Sequence, residues 1–178
     1  MTKKELRAAM KKRNLSLGPE ERAAASERIF RRIGDLASFR EARCVALFCS
    51  LPDEPATEKV LAGWGAGKRV VVPRVEGDTM RFFEYEPTTL CAGAFGIAEP
   101  DGAAVACNPV EIDMVVVPGM AFTRDGARMG RGRGYYDKYL SQPGFRAVKV
   151  GVCYAHQLVG KLPVEAHDVF MDYVITDE

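Results

Sequence analysis

Residues 113–119, Asp113-Met114-Val115-Val116-Val117-Pro118-Gly119, form an almost wholly apolar run that ends in proline and glycine. A run of this length and composition predicts a β-strand that is buried on both faces. Residues 80–85 alternate less cleanly between apolar and polar side chains, which predicts an edge strand. Similar short apolar runs predict further buried strands over residues 44–49 and 69–73, and two more strands are predicted over residues 147–152 and 173–176.

Helical patterns lie between several of these runs. The second helix has a clear start, because Ser16 or Gly18 is suited to cap it and Pro19 is suited to its first turn. Strands that alternate with helices indicate an α/β fold with a mainly parallel sheet covered on both faces. Without repeats or a linker, one domain over residues 1–178 is the simplest organisation. The predicted helices cover residues 3–13, 19–34, 57–63 and 134–140.

Composition excludes several classes of protein. The chain has 178 residues, 47% of them hydrophobic and 28% charged, which is typical of a soluble globular protein. A formal net charge of +1 argues against a protein that coats nucleic acid. No apolar run approaches the roughly 20 residues that span a bilayer, so no membrane association is expected. The charged N-terminus precedes no apolar signal core, and we therefore expect a cytoplasmic protein.

The segment Gly130-Arg131-Gly132-Arg133-Gly134-Tyr135-Tyr136-Asp137 is the most informative motif. Glycines allow the backbone to approach a ligand closely, and the following helix start offers backbone N–H groups to an anion. Two arginines add planar donors suited to phosphate or carboxylate. The pattern is neither a Walker A loop nor a dinucleotide fingerprint. A phosphate site is indicated, with a flexible surface loop or an RNA-binding Arg-Gly segment as alternatives.

Three carboxylates are further candidates. Asp137 could hold Mg²⁺ beside a phosphate or serve only as a helix-start acid. Asp168 could reach a metal or be a plain turn residue. Glu54 follows the first buried strand, where it could accept hydrogen bonds from a heterocycle or lie solvated in a loop. Because ligands bind beyond the carboxyl ends of parallel strands, residues 50–54 and 119–137 should meet at one crevice.

Basic and histidine side chains give weaker indications. Lys3, Lys4 and Arg7 lie on one side of the first predicted helix, where a solvated face is the alternative to a ligand site. His156 and His167 have no spacing to a serine or cysteine nucleophile, so a hydrolytic triad fits poorly.

Taken in order, these elements resemble the 5-formyltetrahydrofolate cyclo-ligase family, also called 5,10-methenyltetrahydrofolate synthetases. The resemblance spans nearly the whole chain, and the Gly-Arg-Gly-x-Gly-Tyr-Tyr-Asp element is its most specific part. It is carried by residues 3–7, 51–57, 117–119, 130–137, 162–163 and 167–168.

The resemblance implies a three-layer α/β/α domain and an ATP- and Mg²⁺-dependent ligase. Such an enzyme converts 5-formyltetrahydrofolate into 5,10-methenyltetrahydrofolate and releases ADP and phosphate. The formyl oxygen is phosphorylated and N10 of the folate then closes the ring. We expect a monomer whose partners are 5-formyltetrahydrofolate and ATP, with no nucleic acid and no membrane. Another ATP- or phosphate-ligand enzyme on the same scaffold is the competing hypothesis.

The resemblance also implies roles for individual residues. Arg131 and Arg133 would act in catalysis, and Asp137 and Asp168 would hold Mg²⁺. ATP would be bound by Lys3, Lys4, Glu5, Leu6, Arg7, Arg128, Met129, Gly130, Arg131, Gly132, Arg133, Gly134, Tyr135 and Tyr136. The folate would be bound by Cys49, Glu54, Arg131, Gly132, Arg133, Gly134 and Tyr135.

Overall fold

The computed structural model describes residues 1–86, 90–92, 98–100 and 104–178. Its centre is a six-stranded sheet in the order β10-β9-β6-β1-β2-β3. The strands are β1 (Cys44–Ala46), β2 (Arg69–Glu76), β3 (Thr79–Glu84), β4 (Leu90–Ala92), β5 (Ala98–Pro100), β6 (Met114–Val117), β7 (Ala121–Phe122), β8 (Arg128–Met129), β9 (Val148–Val152) and β10 (Tyr173–Ile175). The helices are α1 (Lys3–Leu15), α2 (Pro19–Gly34), α3 (Ala37–Glu41), α4 (Glu58–Gly65) and α5 (Tyr135–Leu140), with 3-10 turns at Pro109–Glu111 and Ala155–Gln157.

The sheet is mostly parallel, as the apolar runs predict. The pairs β10–β9, β9–β6, β6–β1 and β1–β2 are parallel, and β2–β3 is antiparallel. The edge position predicted for residues 80–85 is confirmed, because β3 is the last strand of the sheet. Since β2 and β6 lie on opposite sides of β1, the chain reverses its direction of winding at β1. Such a reversal opens a crevice beyond the carboxyl ends of the two central strands.

Alternating side chains of the central strands build two cores. Val45, Val70 and Val116 face a cluster that α2, α3 and α4 cover with residues such as Ile29 and Leu61. The intervening side chains form the other core, in which Ala46, Val71 and Val115 pack with Tyr139 and Leu140 of α5. Helices on both faces make the three-layer α/β/α arrangement, so the predicted fold class is confirmed.

Two predicted strand boundaries are wrong, and both errors lie near the crevice. The strand predicted over residues 44–49 is assigned only over Cys44–Ala46. Leu47 still donates its backbone N–H to the backbone oxygen of Val71 at 2.9 Å, but the chain then leaves the sheet. Conversely, β2 continues past Pro73 to Glu76, because Pro73 lies beyond the residues that pair with β1 and needs no N–H there.

Helix α1 is separate from the main sheet. It packs through Leu6 and Met10 on a small cluster that includes Ala121 and Met129 of the β7–β8 hairpin. The sequence patterns predicted neither this hairpin nor α3 or the β4–β5 pair. The hairpin directly precedes residues 130–134, the glycine run, so its apolar contacts place the N-terminal helix beside that run.

Gly126 in the hairpin turn packs against the backbone of Met171, just before β10. Its φ is +102°, and a Cβ placed there would lie 2.3 Å from the backbone oxygen of Met171. We predict that Gly126→Ala destabilises the protein by roughly 1–3 kcal/mol, because backbone cannot move aside as a side chain can. Denaturant unfolding followed by circular dichroism measures the change.

The matched control is Gly63→Ala in the interior of α4, where a new Cβ meets no atom within 4 Å. This substitution should raise stability by roughly 0.5–1 kcal/mol, since alanine has the higher helix propensity. Equal stability of the two variants would contradict the packing described for Gly126.

Candidate functional site

A cavity of about 470 Å³ lies beyond the carboxyl ends of β1 and β6. This volume is in the range of small-molecule sites. The loop after β1 and the segment after β6 line opposite sides of it, so the predicted convergence of residues 50–54 and 119–137 is confirmed. Lining residues come from several parts of the chain: Lys3, Arg7, Phe48, Cys49, Leu51, Glu54, Pro73, Val75, Met80, Pro118, Gly119, Arg128, Met129, Gly130, Arg131, Gly132, Arg133, Gly134, Tyr135, Tyr136, Asp137, Pro163, Glu165, His167 and Asp168.

The glycine run forms one wall and is held there by α1. Arg7 donates its Nε–H to the backbone oxygen of Gly130 at 2.9 Å. Gly132 has a φ of +102°, in the left-handed region that favours glycine, and a Cβ on it would lie 3.5 Å from the Arg7 guanidinium carbon. The run therefore passes closely over the N-terminal helix before α5 begins at Tyr135.

Arg131 joins the glycine run to the loop after β1. Its Nη2 lies 2.6 Å from Asp53 Oδ1 and 3.3 Å from Glu54 Oε2. Both acids are buried, at 4% and 7% exposure, whereas the Arg131 side chain is 35% exposed. One partly exposed guanidinium thus contacts two buried carboxyl groups.

Glu54 is fixed within the wall of the cavity. Its Oε1 accepts the backbone N–H of Leu51 at 2.8 Å, and its backbone oxygen accepts from Arg22 Nε at 3.0 Å. Burial raises the pKa of the Glu54 carboxyl, and the positive charge of Arg131 opposes this rise. An anchored, buried acceptor of this kind is suited to pair with N–H groups of a ligand.

Arg128 and Tyr136 close the floor beneath the glycine run. Arg128 donates Nε–H to the Pro118 oxygen at 2.7 Å, and its guanidinium lies 5.1 Å from the centre of the Tyr136 ring. Burial lowers the pKa of Arg128, while the negative charge of Asp137 opposes that change. Burial raises the pKa of the Tyr136 hydroxyl, so this group stays protonated at neutral pH.

The two carboxylates predicted to hold Mg²⁺ line the same cavity. Asp137 Oδ1 accepts the Val169 N–H at 3.1 Å, and Asp168 Oδ2 accepts the Glu165 N–H at 2.8 Å. Within the described part of the chain, no group of three or more His, Cys, Asp or Glu is arranged to hold a metal. Two carboxylates nevertheless fit Mg²⁺, which commonly uses one or two of them together with water and phosphate oxygens.

The N-terminal residues divide into two groups. Lys3 and Arg7 line the cavity, and Lys3 Nζ lies 3.2 Å from Glu165 Oε1. Lys4 is exposed and does not line it. Glu5 forms a capping box with Thr2, its carboxylate accepting the Thr2 N–H at 2.8 Å. Leu6 packs on the hairpin, away from the cavity.

The other predicted site residues all line the cavity. Cys49, at 7% exposure, lies on the β1 side, and the buried Met129 lies on the opposite side. Arg133, Gly134 and Tyr135 complete the wall formed by the glycine run. The roles assigned to them by resemblance stay predictions.

The cavity also has an apolar wall and a buried polar support that the sequence did not predict. Phe48, Pro73, Val75 and Met80 give the cavity an apolar side, which the strand pattern alone did not place. Asn14, which is 2% exposed, donates a hydrogen bond from Nδ2 to the backbone oxygen of Asp53 at 3.0 Å. In the sequence, Asn14 continues the four-residue spacing of Leu6 and Met10, which was the available signal for its place on the packed face of α1.

Among the residues that the structure covers, no helix has the length and apolar character needed to cross a bilayer.

A model of the 5-formyltetrahydrofolate cyclo-ligase family matches residues 1–177. The chain belongs to this family.

Two cyclo-ligases illustrate the extent of the similarity. The 5-formyltetrahydrofolate cyclo-ligase of Mycolicibacterium smegmatis is 35% identical over 117 residues, which is 62% of this chain and 60% of that protein. The cyclo-ligase of Escherichia coli is 30% identical across 94% of this chain and 96% of its own length. The match therefore extends over nearly the full length of at least one curated cyclo-ligase.

A solved structure shares the fold. The NMR structure of Aquifex aeolicus 5,10-methenyltetrahydrofolate synthetase superposes with a TM-score of 0.89 at 34% identity. It covers 100% of this chain, and the chain covers 91% of it. The three-layer arrangement is thus common to both proteins.

The Asn14 contacts give a prediction about the support of this cyclo-ligase site. Besides its bond to Asp53, Asn14 Oδ1 pairs with the Nε2 of His156. We predict that Asn14→Ala lowers the free energy of unfolding by roughly 1–3 kcal/mol, because buried groups lose their partners. Denaturant unfolding measures this loss. Ser16→Ala, which removes an exposed hydroxyl, is the control. If the free energy of unfolding falls no more than in the control, Asn14 does not support the loop after β1.

Proposed function

We propose that this chain converts 5-formyltetrahydrofolate into 5,10-methenyltetrahydrofolate, using ATP and Mg²⁺ and releasing ADP and phosphate. One observation carries the proposal. Arg131 of the glycine run lies 3.3 Å from buried Glu54, and both line the same cavity. A phosphate-binding wall and an acceptor for a nitrogen heterocycle are therefore within one side chain's reach of each other.

The chemistry explains why these two walls should be adjacent. The formyl group is an amide, and its oxygen leaves poorly. Transfer of the γ-phosphoryl group of ATP to that oxygen makes the carbon electrophilic. N10 of the folate then forms a bond to this carbon and gives up its proton, and the C–O bond breaks so that the oxygen departs with the phosphate. No covalent nucleophile from the protein is needed, so its contribution is positioning and charge stabilisation.

Arg131 is the residue best placed to act on the group being transferred. Its guanidinium lies between the glycine run and Glu54, where a formyl oxygen and a γ-phosphate would meet. A fixed cation there stabilises negative charge as it redistributes in the transition state. Arg133 is proposed to add a second positive charge from the same wall.

The folate is proposed to bind along the β1 side of the cavity. Glu54 would accept hydrogen bonds from N–H groups of the pterin. Phe48, Val75 and Met80 would pack against its rings, since flat heterocycles gain affinity from apolar contact. Cys49 lies beside these residues and is proposed to contact the same ring system.

ATP is proposed to bind along the glycine run. Lys3, Arg7 and Arg128 would face its phosphates together with backbone N–H groups of residues 129–136. Asp137 and Asp168 would hold Mg²⁺, which neutralises phosphate charge when bound. The side chains of Lys4, Glu5 and Leu6 do not line the cavity. Their contacts with ATP therefore stay predictions that rest on the resemblance alone.

We further propose that the enzyme acts as a monomer, since residues of one chain line both walls of the cavity. Its cytoplasmic location stays a prediction from the sequence.

The activity is tested by mixing the purified chain with 5-formyltetrahydrofolate, ATP and Mg²⁺ and recording the near-ultraviolet absorbance of the methenyl product. Absorbance should grow only when all three are present, and ADP should form in equal amount. Growth without ATP, or none at any Mg²⁺ concentration, would contradict the proposal.

Arg131→Ala tests the central role of that side chain. We predict a loss of kcat/KM of at least about 100-fold, since a preorganised donor to developing charge is removed. Circular dichroism should show an unchanged fold. The control is Arg124→Ala, because Arg124 is exposed in the hairpin and does not line the cavity. If Arg131→Ala is as active as the control, the role proposed for Arg131 is wrong.

Glu54 predicts a pH dependence of folate binding. Because its pKa is raised by burial, the carboxyl is protonated at a higher pH than an ordinary glutamate. The ionised form is the better acceptor, so folate KM should rise as pH falls through this raised pKa. Glu54→Gln should have a higher KM at neutral pH and lose this acid-side rise.

Glu58→Gln is the matched control, since Glu58 is an exposed acid at the start of α4 outside the cavity. Its KM should follow the wild-type pH profile. If Glu54→Gln also follows that profile, Glu54 does not bind the folate in its ionised form.

A further inference from the structure

Asp53 lies directly behind Arg131 and outside the cavity. Its Oδ1 is 2.6 Å from Arg131 Nη2, a shorter contact than the 3.3 Å between the same nitrogen and Glu54 Oε2. Asp53 is 4% exposed and does not line the cavity, whereas Arg131 and Glu54 do. The nearest charged partner of Arg131 is therefore a residue that a ligand in the cavity would not touch.

Two helices hold the Asp53 segment in place. The Asp53 backbone oxygen accepts from Asn14 Nδ2 of α1 at 3.0 Å. On the α2 side, Arg22 donates Nη2–H to the Leu51 oxygen at 3.1 Å and Nε–H to the Glu54 oxygen at 3.0 Å. The carboxylate is thus mounted on a backbone that is fixed on both sides.

The burial of Asp53 makes Arg131 hard to displace. Within the described chain, Asp53 Oδ2 is sealed from solvent and has no hydrogen-bond partner. A buried carboxylate in this state depends on its cation, because loss of the partner leaves an uncompensated charge. Arg131 is consequently confined to one position even though its side chain is 35% exposed.

The confined Arg131 side chain still has N–H groups that can donate to a ligand. Nη2 is the nitrogen that contacts both carboxylates, and among the described residues Nε and Nη1 of Arg131 have no hydrogen-bond acceptor. A guanidinium carries five N–H groups in one plane, so fixing one corner orients the others.

We propose that Asp53 is a positioning residue, which fixes Arg131 so that its remaining N–H groups are preoriented toward the reacting formyl oxygen and phosphate. This inference rests on the proposed function for its chemical target. The alternative is a purely structural pair, in which the same contact only joins the loop after β1 to the glycine run.

A double-mutant cycle separates the two possibilities. Asp53→Asn keeps the shape of the side chain but removes its charge. We expect kcat to fall by roughly 10- to 100-fold, since small misplacements of a catalytic group have effects of this size. KM for ATP and for 5-formyltetrahydrofolate should change far less than kcat.

Arg131→Gln supplies the second edge of the cycle. If Asp53 acts through Arg131, then Asp53→Asn should have almost no further effect on kcat in the Arg131→Gln background. Effects that multiply in the double variant would overturn the proposal. A normal kcat combined with reduced thermal stability would also overturn it.

The control is Asp113→Asn, because Asp113 forms a 2.8 Å ion pair with Arg146 away from the cavity. This variant should lose stability and keep its kcat, and its effect should be unchanged by Arg131→Gln.

A direct measurement on the wild-type chain needs neither a stable Asp53 variant nor turnover. Side-chain nitrogen NMR, assigned with Arg131→Gln, reports rotation of the guanidinium about its Nε–Cζ bond. We expect separate, slowly exchanging Nη signals for Arg131, as for a guanidinium held at one corner. Fully averaged signals would overturn the proposal, whereas an inactive wild type with slow signals would count only against the proposed function.

Discussion

The ion pair between Arg131 and Asp53 joins the two segments that a parallel sheet brings together at its switch of winding direction. Residues 53 and 131 are far apart in the chain, yet each follows a central strand of the sheet. Because β1 and β6 are parallel neighbours, their carboxyl ends meet at the same edge. The cavity, the placement of Glu54 and the path of the glycine run all depend on this meeting of loops.

A second constraint comes from α1, which completes the site without belonging to the sheet. Apolar contacts of Leu6 and Met10 attach this helix to the β7–β8 hairpin. Polar contacts at its two ends then reach both loops, with Arg7 bonded to Gly130 and Asn14 bonded to Asp53. Burial thus fixes where the helix lies, and hydrogen bonds fix the loops relative to it.

Much of the fold could be predicted because buried parallel strands are distinct as short apolar runs, of which residues 113–119 are the clearest. Glycine spacing and resemblance likewise identified the cavity wall and Glu54. Asp53 was not singled out, although residues 50–54 were predicted to meet residues 119–137. Which of Asp53 and Glu54 pairs more closely with Arg131 depends on side-chain geometry, which no local pattern contains. The β7–β8 hairpin was missed since each of its strands has only two residues. Helical geometry did not separate Lys4 from Arg7, because residues three apart also share a face. The packing of Leu6 and Met10 on the hairpin sets the rotation of α1, and with it which basic side chains reach the cavity.

In the proposed reaction the formyl oxygen and the γ-phosphate of ATP lie beside one fixed guanidinium, and phosphoryl transfer precedes ring closure. Turnover of 5-formyltetrahydrofolate labelled with oxygen-18 in its formyl group tests this most directly, with the released phosphate analysed by mass spectrometry. We expect the label in inorganic phosphate, with one labelled oxygen for each methenyl product formed. Unlabelled phosphate, with the heavy oxygen recovered in water or formate, would contradict it.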